Sequence, residues 1–132
     1  MSIADIFDIN ATNIRELKLG WNKITARGGN AIADSMRTNR HLRFLDLSWN
    51  ACGHGANVLP EQVGKTWAAA FLENKTLQHV DLSYNKILYQ DTVLLAKGLQ
   101  KNHTIYGFHF EGNDGTVNSL EFLLPRSLRL KF

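Results

Sequence analysis

Apolar and polar residues follow the same order in four segments of this chain. Ile14 to Ile24, Leu42 to Cys52, Leu77 to Ile87 and Ile105 to Gly115 all follow L-x-x-L-x-L-x-x-N-x-L, with substitutions such as Val80, Phe108 and Phe110. Within each segment the pairs Leu17/Leu19, Leu45/Leu47, Val80/Leu82 and Phe108/Phe110 recur with period two. That period predicts a short strand with one buried face. Lys18, Asp46, Asp81 and His109 lie between the pairs and must point to the opposite face.

Between the strands the period changes. Counted back from Leu42, Leu77 and Ile105, the residues Ile32, Trp67 and Leu95 share a column. Ala33, Ala68 and Ala96 share the next, Met36, Phe71 and Leu99 another, and Asn39, Asn74 and Asn102 a fourth. Apolar residues four apart, with a small residue beside the first, predict one helix per unit with a buried stripe. The segment openers stand 28, 35 and 28 residues apart, so the middle unit carries seven extra residues.

Repetition at this period is the sequence sign of a solenoid, in which each unit buries its apolar face only against its neighbours. The motif resembles the ribonuclease-inhibitor-like subfamily of leucine-rich repeats over roughly residues 3 to 115. The resemblance implies an α/β class fold: a right-handed solenoid, or horseshoe segment, with about four parallel strands on its concave side and helices on its convex side. The whole chain, 1–132, then forms one domain. Residues 1–13 are an N-terminal half-unit, 14–41, 42–76 and 77–104 are repeats, and 105–132 hold the last strand and a C-terminal cap. Ile3 to Phe7 echoes the Ile32 helix, and Asn10 echoes Asn39. Leu120, Phe122, Leu123 and Leu124, followed by Pro125, are expected to lie across the last coil.

Asn22, Asn50, Asn85 and Asn113 close the turn after each strand. Backbone amides leaving a sheet lose their ladder partners there. A carboxamide both donates and accepts, so one side chain can serve its own turn and the neighbouring one. These four are expected to form a structural ladder.

Composition narrows the class. At 132 residues, 44% apolar and 20% charged, the chain is long enough for one core and is neither a disordered nor a membrane composition. No apolar run reaches the roughly 18 residues a spanning helix needs. Met1 to Asn10 lacks the basic and apolar regions of a secretory leader. The single cysteine, Cys52, allows no internal disulfide, so a reducing, cytoplasmic setting is expected. The sequons at Asn10, Asn74 and Asn102 do not alter that expectation, since the repeat accounts for the last two. The net charge of +3 is scattered, apart from Arg126, Arg129 and Lys131, and does not demand nucleic acid.

Candidate chemistry lies on the open side of the strands. Position eight of each unit reads Trp21, Trp49, Tyr84 and Gly112, predicting an aromatic ladder at the rim, with coils about 4.8 Å apart. Large amphipathic rings at a rim suit protein recognition. Beside them run Lys18, Asp46, Asp81 and His109, and two residues earlier Glu16, Phe44 and His79. Asp46 and Asp81 would repel unless a basic group lies near, and Asp81 is expected to pair with His109 across strands and raise its pKa. The extra residues fall within Ala51–Val63, where two glycines suggest a pliable loop and Val58-Leu59 would be exposed unless it folds back.

Other chemistry is weaker. Cys52 and His54 are too few ligands for a metal, and Cys52 fills a core leucine slot. Gly64-Lys65-Thr66 lacks the earlier glycine of a phosphate loop, since Leu59 stands there. Ser48, Ser83, His79 and His109 form no nucleophile turn. The reading is therefore a protein–protein interaction module with no cofactor and no enzyme activity. Its partner-binding residues would be Trp21, Phe44, Asp46, Trp49, His79, Asp81, Tyr84 and His109. A weaker reading is nucleic-acid binding by the basic C-terminus, and two alternatives stand beside the module. One is a GTPase-activating role resting on Arg27 in the loop after the first strand. The other is a scaffold segment of a larger cytoskeletal or signalling protein.

Overall fold

The computed structural model describes residues 13–117 and the pair Leu123–Leu124. Strands and helices alternate: β1 (Glu16–Lys18), α1 (Ala26–Met36), β2 (Phe44–Asp46), α2 (Gln62–Glu73), β3 (His79–Asp81), α3 (Tyr89–Gln100) and β4 (Gly107–His109), followed by β5 (Thr116–Val117) and β6 (Leu123–Leu124). The first four strands form one parallel sheet in chain order. Leu17 pairs with Leu45, Leu45 with Val80 and Val80 with Phe108, so the apolar column of the sequence is a row across the sheet.

Each strand of this sheet is only three residues long, because the coil turns at the residues that follow. The ladder nevertheless continues one step further. Leu19 donates its amide to Asp46 at 2.7 Å, Leu47 to Asp81 at 2.9 Å and Leu82 to His109 at 2.9 Å. Leu47, Leu82 and Phe110 are accordingly buried just beyond the strand ends.

The helices carry the second register inward. Ile32, Ala33 and Met36 of α1, Trp67, Ala70 and Phe71 of α2, and Leu95, Ala96 and Leu99 of α3 join Leu45, Leu47, Val80 and Leu82 in one apolar cluster. Burying one such side chain stabilises by about 1.5–3 kcal/mol, so this shared cluster is the main term holding sheet to helices. Leu17, Leu19, Ile105 and Phe108, in the first and last coils, are only partly buried against it. Cys52 sits in the cluster with no exposure, in the slot that Ile24 and Ile87 fill in the coils on either side, and burial pushes its thiol pKa up to about 12.

Helix α2 packs between α1 and α3. Its crossing with α3 is very close: a β-carbon at Gly64 would lie 2.6 Å from the backbone of Asp91. Gly64 is therefore a packing residue of the helix crossing. The first turn of α2 has no cap of its own, since Glu61 makes no side-chain cap bond. Asp91 of α3 supplies it, accepting the Gly64 amide at 2.9 Å.

After β4 the direction changes. β5 and β6 pair antiparallel, Thr116 opposite Leu124, and β6 lies beside α3. The expected half-unit at Ile3–Phe7 with Asn10, and the Leu120, Phe122, Pro125, Arg126, Arg129 and Lys131 parts of the C-terminus, lie outside the described residues. No helix among the described residues is long and apolar enough to cross a membrane.

Candidate functional site

The turn after each strand is held by carboxamides that span two coils. Asn50 accepts the amides of Asn22 (2.9 Å) and Ile24 (3.0 Å) and donates to Leu47 (2.8 Å) in its own turn and Leu19 (3.0 Å) in the previous one. Asn85 accepts from Cys52 at 3.1 Å and donates to Leu47 at 2.8 Å and Leu82 at 3.1 Å. Asn113 accepts from Asn85 and Ile87, both at 3.0 Å, and donates to Leu82 at 2.7 Å. Asn22 is exposed and, among the described residues, its side chain serves its own turn, through Leu19 and Gly20.

A second carboxamide row lies past the helix ends. Asn74 donates to Met36 at 2.8 Å and accepts the amides of Thr76 (2.9 Å) and Leu77 (2.7 Å). Asn102 repeats this towards Phe71, Thr104 and Ile105. The sequence displays the Asn39, Asn74, Asn102 column, but its spacing does not distinguish a capping row from a helix position. The clue is the opener that follows three residues later, whose amide each Asn receives.

These turns present the aromatic column. Trp21, Trp49 and Tyr84 adopt left-handed backbone, with φ of 61°, 56° and 56°. Each donates its amide to the next coil: Trp21 to Ser48 (3.0 Å), Trp49 to Ser83 (2.9 Å) and Tyr84 to Glu111 (2.7 Å). The three rings therefore stack. Trp21 and Trp49 have centroids 4.5 Å apart, Trp49 and Tyr84 3.9 Å, each pair within 10° of parallel. Gly112 ends the row, because a β-carbon there would lie 2.2 Å from the Tyr84 ring. The rings remain exposed, at 72%, 43% and 39%.

The open face of the sheet carries a second row. Phe44 and His79 stack at 4.6 Å and 2°, and His79 meets His109 at 4.7 Å and 45°. Lys18 places its ammonium 5.8 Å from the Phe44 centroid, a cation–π contact the sequence did not suggest. Burial, then the neighbouring His109, lowers the His79 pKa, opposed by Asp81 and Asp46.

The expected Asp81–His109 ion pair does not form among the described residues; His109 turns its ring to His79 instead. Asp81 is engaged locally, accepting the Ser83 amide at 2.9 Å, as Asp46 accepts that of Ser48 at 2.8 Å. Each carboxylate thus braces its own turn, which accounts for two of them standing side by side. Arg27 also departs from expectation: it lies in the first turn of α1, exposed, and not in the loop.

The longer loop is tied down. Ala51 bridges Thr25, the Ala26 amide donates to His54 at 2.9 Å, and the Gly53 amide to Asn85 at 2.8 Å. A β-carbon at Gly53 would meet the backbone of Lys86 at 2.4 Å. That glycine provides close approach to the next coil where pliability was expected. Val58 folds back on the core while Leu59 stays 68% exposed.

A family model described as leucine-rich repeat matches residues 10–33, 38–51 and 73–87. The chain is a leucine-rich-repeat protein. Among solved structures, this leucine-rich-repeat chain is similar to the actin-binding site 2 of leiomodin-1, with a TM-score of 0.70 at 17% identity. The likeness covers 83% of this chain and 60% of that one. At this identity it speaks for the fold. No curated protein matches the chain in sequence.

Proposed function

We propose that this leucine-rich-repeat protein is a protein–protein interaction module whose partner docks on the aromatic rim and the adjoining open face of the sheet. The observation that carries the reading is the stacked, exposed row of Trp21, Trp49 and Tyr84. Rings held by their neighbours and by inter-coil backbone bonds lose little freedom on binding, so more of their burial appears as affinity. The half-buried rings of Phe44 and His79 and the exposed ring of His109 extend the surface, and Asp46 and Asp81 add charge to it.

The finer architecture belongs to the same proposal: ribonuclease-inhibitor-like units of about 28 residues, right-handed, with the helices on the convex side. The unpaired Cys52 supports a reducing, cytoplasmic setting. The fold likeness to an actin-binding site makes actin the first partner to test.

The test is co-sedimentation with actin filaments, alongside an affinity pull-down, for the wild type and the joint variant Trp49→Ala, Tyr84→Ala. Because these rings are exposed, the joint variant should fold normally yet lose its partner. Undiminished capture by a folded variant overturns the rim as the docking surface.

A further inference from the structure

The longer loop of the second coil builds a concavity separate from the aromatic rim. Residues 53–61 and the start of α3 enclose a cleft of about 430 Å³, within the range that holds a small ligand or an inserted side chain. Its apolar wall is Val58, Leu59 and Pro60 from the loop and Leu88 from the chain entering α3. Leu59 and Leu88 are 68% and 59% exposed, so this wall is open to a partner.

The polar lining is His54, Gln90 and two carboxylates. Glu61 and Asp91 line the cleft and no lysine or arginine does. Glu61 heads α2 with left-handed backbone, φ 66°, and Asp91, in the first turn of α3, is 95% buried. Two helix N-termini offset part of this charge. At about half a positive charge each they leave a net of roughly one negative charge. Lys65 lies outside the lining but brings its ammonium to 3.8 Å from Glu61, from an exposed position. An amine from the same chain thus already approaches one of the two carboxylates.

We propose that this cleft receives the side chain of an arginine or lysine from a partner protein, its aliphatic stem along Leu59 and Leu88 and its cationic head towards Glu61 and Asp91. A long basic side chain matches both halves of the site, since such residues bury their methylenes while keeping the charge paired. Burial holds the Asp91 carboxyl above its ordinary range with a single backbone amide on it, so a cation offsets a cost already present in the fold. The site is distinct from the rim, and its test does not depend on the rim reading.

The probe is a set of blocked tripeptides, Leu-Arg-Leu, Leu-norleucine-Leu and Leu-Glu-Leu, titrated into the full chain and followed by the amide resonances of Gly53, Gly55 and Gln90. The arginine peptide should shift these amides saturably. Its affinity should fall about tenfold or more in Asp91→Asn and in Glu61→Gln, since each removes a charge-assisted contact. The Asp91→Asn amide oxygen still accepts from Gly64, and Glu61 is exposed, so both variants keep the fold. The joint Trp49→Ala, Tyr84→Ala variant should bind the arginine peptide unchanged. Equal binding of the norleucine peptide overturns the proposal, as do shifts confined to the rim or no shift at millimolar peptide.

Discussion

Asp91, on α3, accepts the backbone amide of Gly64, on α2, at 2.9 Å. The first turn of one helix is thereby capped by a side chain of the next. Asp91→Ala should cost about 1–2 kcal/mol, the usual loss of a cap, and denaturant unfolding reads it. Asp91→Asn keeps the acceptor and should cost little at neutral pH.

The same residue fixes a pH dependence. Burial raises the Asp91 pKa above 3.8, so the folded chain binds this proton more tightly than the unfolded chain. Its contribution to stability is complete below 3.8 and is lost as pH rises through the raised value. The stability of Asp91→Asn relative to wild type should therefore climb between acidic and neutral pH. A flat difference contradicts the burial of a charged carboxylate there.

Carboxamides at the turns differ in reach. Asn85 is fully buried and joins two coils, whereas Asn22 is exposed and serves its own turn. Asn85→Ala should destabilise by about 1–3 kcal/mol, because it leaves buried backbone groups unpaired. Asn22→Ala should lower the thermal midpoint much less, since water replaces its bonds.

Burial and the neighbouring His109 keep the His79 titration below the ordinary imidazole value of 6.5, and Phe44 is one ring stacked on it. NMR titration should show that midpoint rising in Phe44→Ala, and rising again when His109→Gln removes the adjacent cation. Asp81 and Asp46 act in the opposite sense, so replacing either with asparagine should lower it further.

Stacked rings report on one another. Trp49→Ala separates Trp21 from Tyr84 and should remove most of the near-ultraviolet circular dichroism of the row. The change in unfolding free energy should stay near 1 kcal/mol, because the ring is 43% exposed.

The sheet and the helical faces are legible in the sequence because burial leaves a period: two along Leu45 and Leu47, four along Trp67 and Phe71. The columns also bring Trp21, Trp49 and Tyr84 together, since stacked coils turn a fixed sequence spacing into adjacency. Contacts that depend on side-chain direction leave no such trace. Nothing in the spacing shows that His109 turns to His79 and not to Asp81, or that Asp91 reaches another helix. Arg27 falls in α1 because the helix starts at Ala26, one residue after the bridge between Thr25 and Ala51. The cleft depends on the path of an insertion that has no counterpart in the other coils.

Before the insertion the chain is fastened at Ala51, Gly53 and His54, and after it at Gly64. Extra residues accommodated between those fixings do not displace the strand or helix that follows: Phe44 still meets His79, and α2 still meets α3. Alignment from coil to coil is therefore set by the clasps and is indifferent to how much chain loops out between them. Segments of other lengths spliced in at 56–60 should leave every other coil undisturbed.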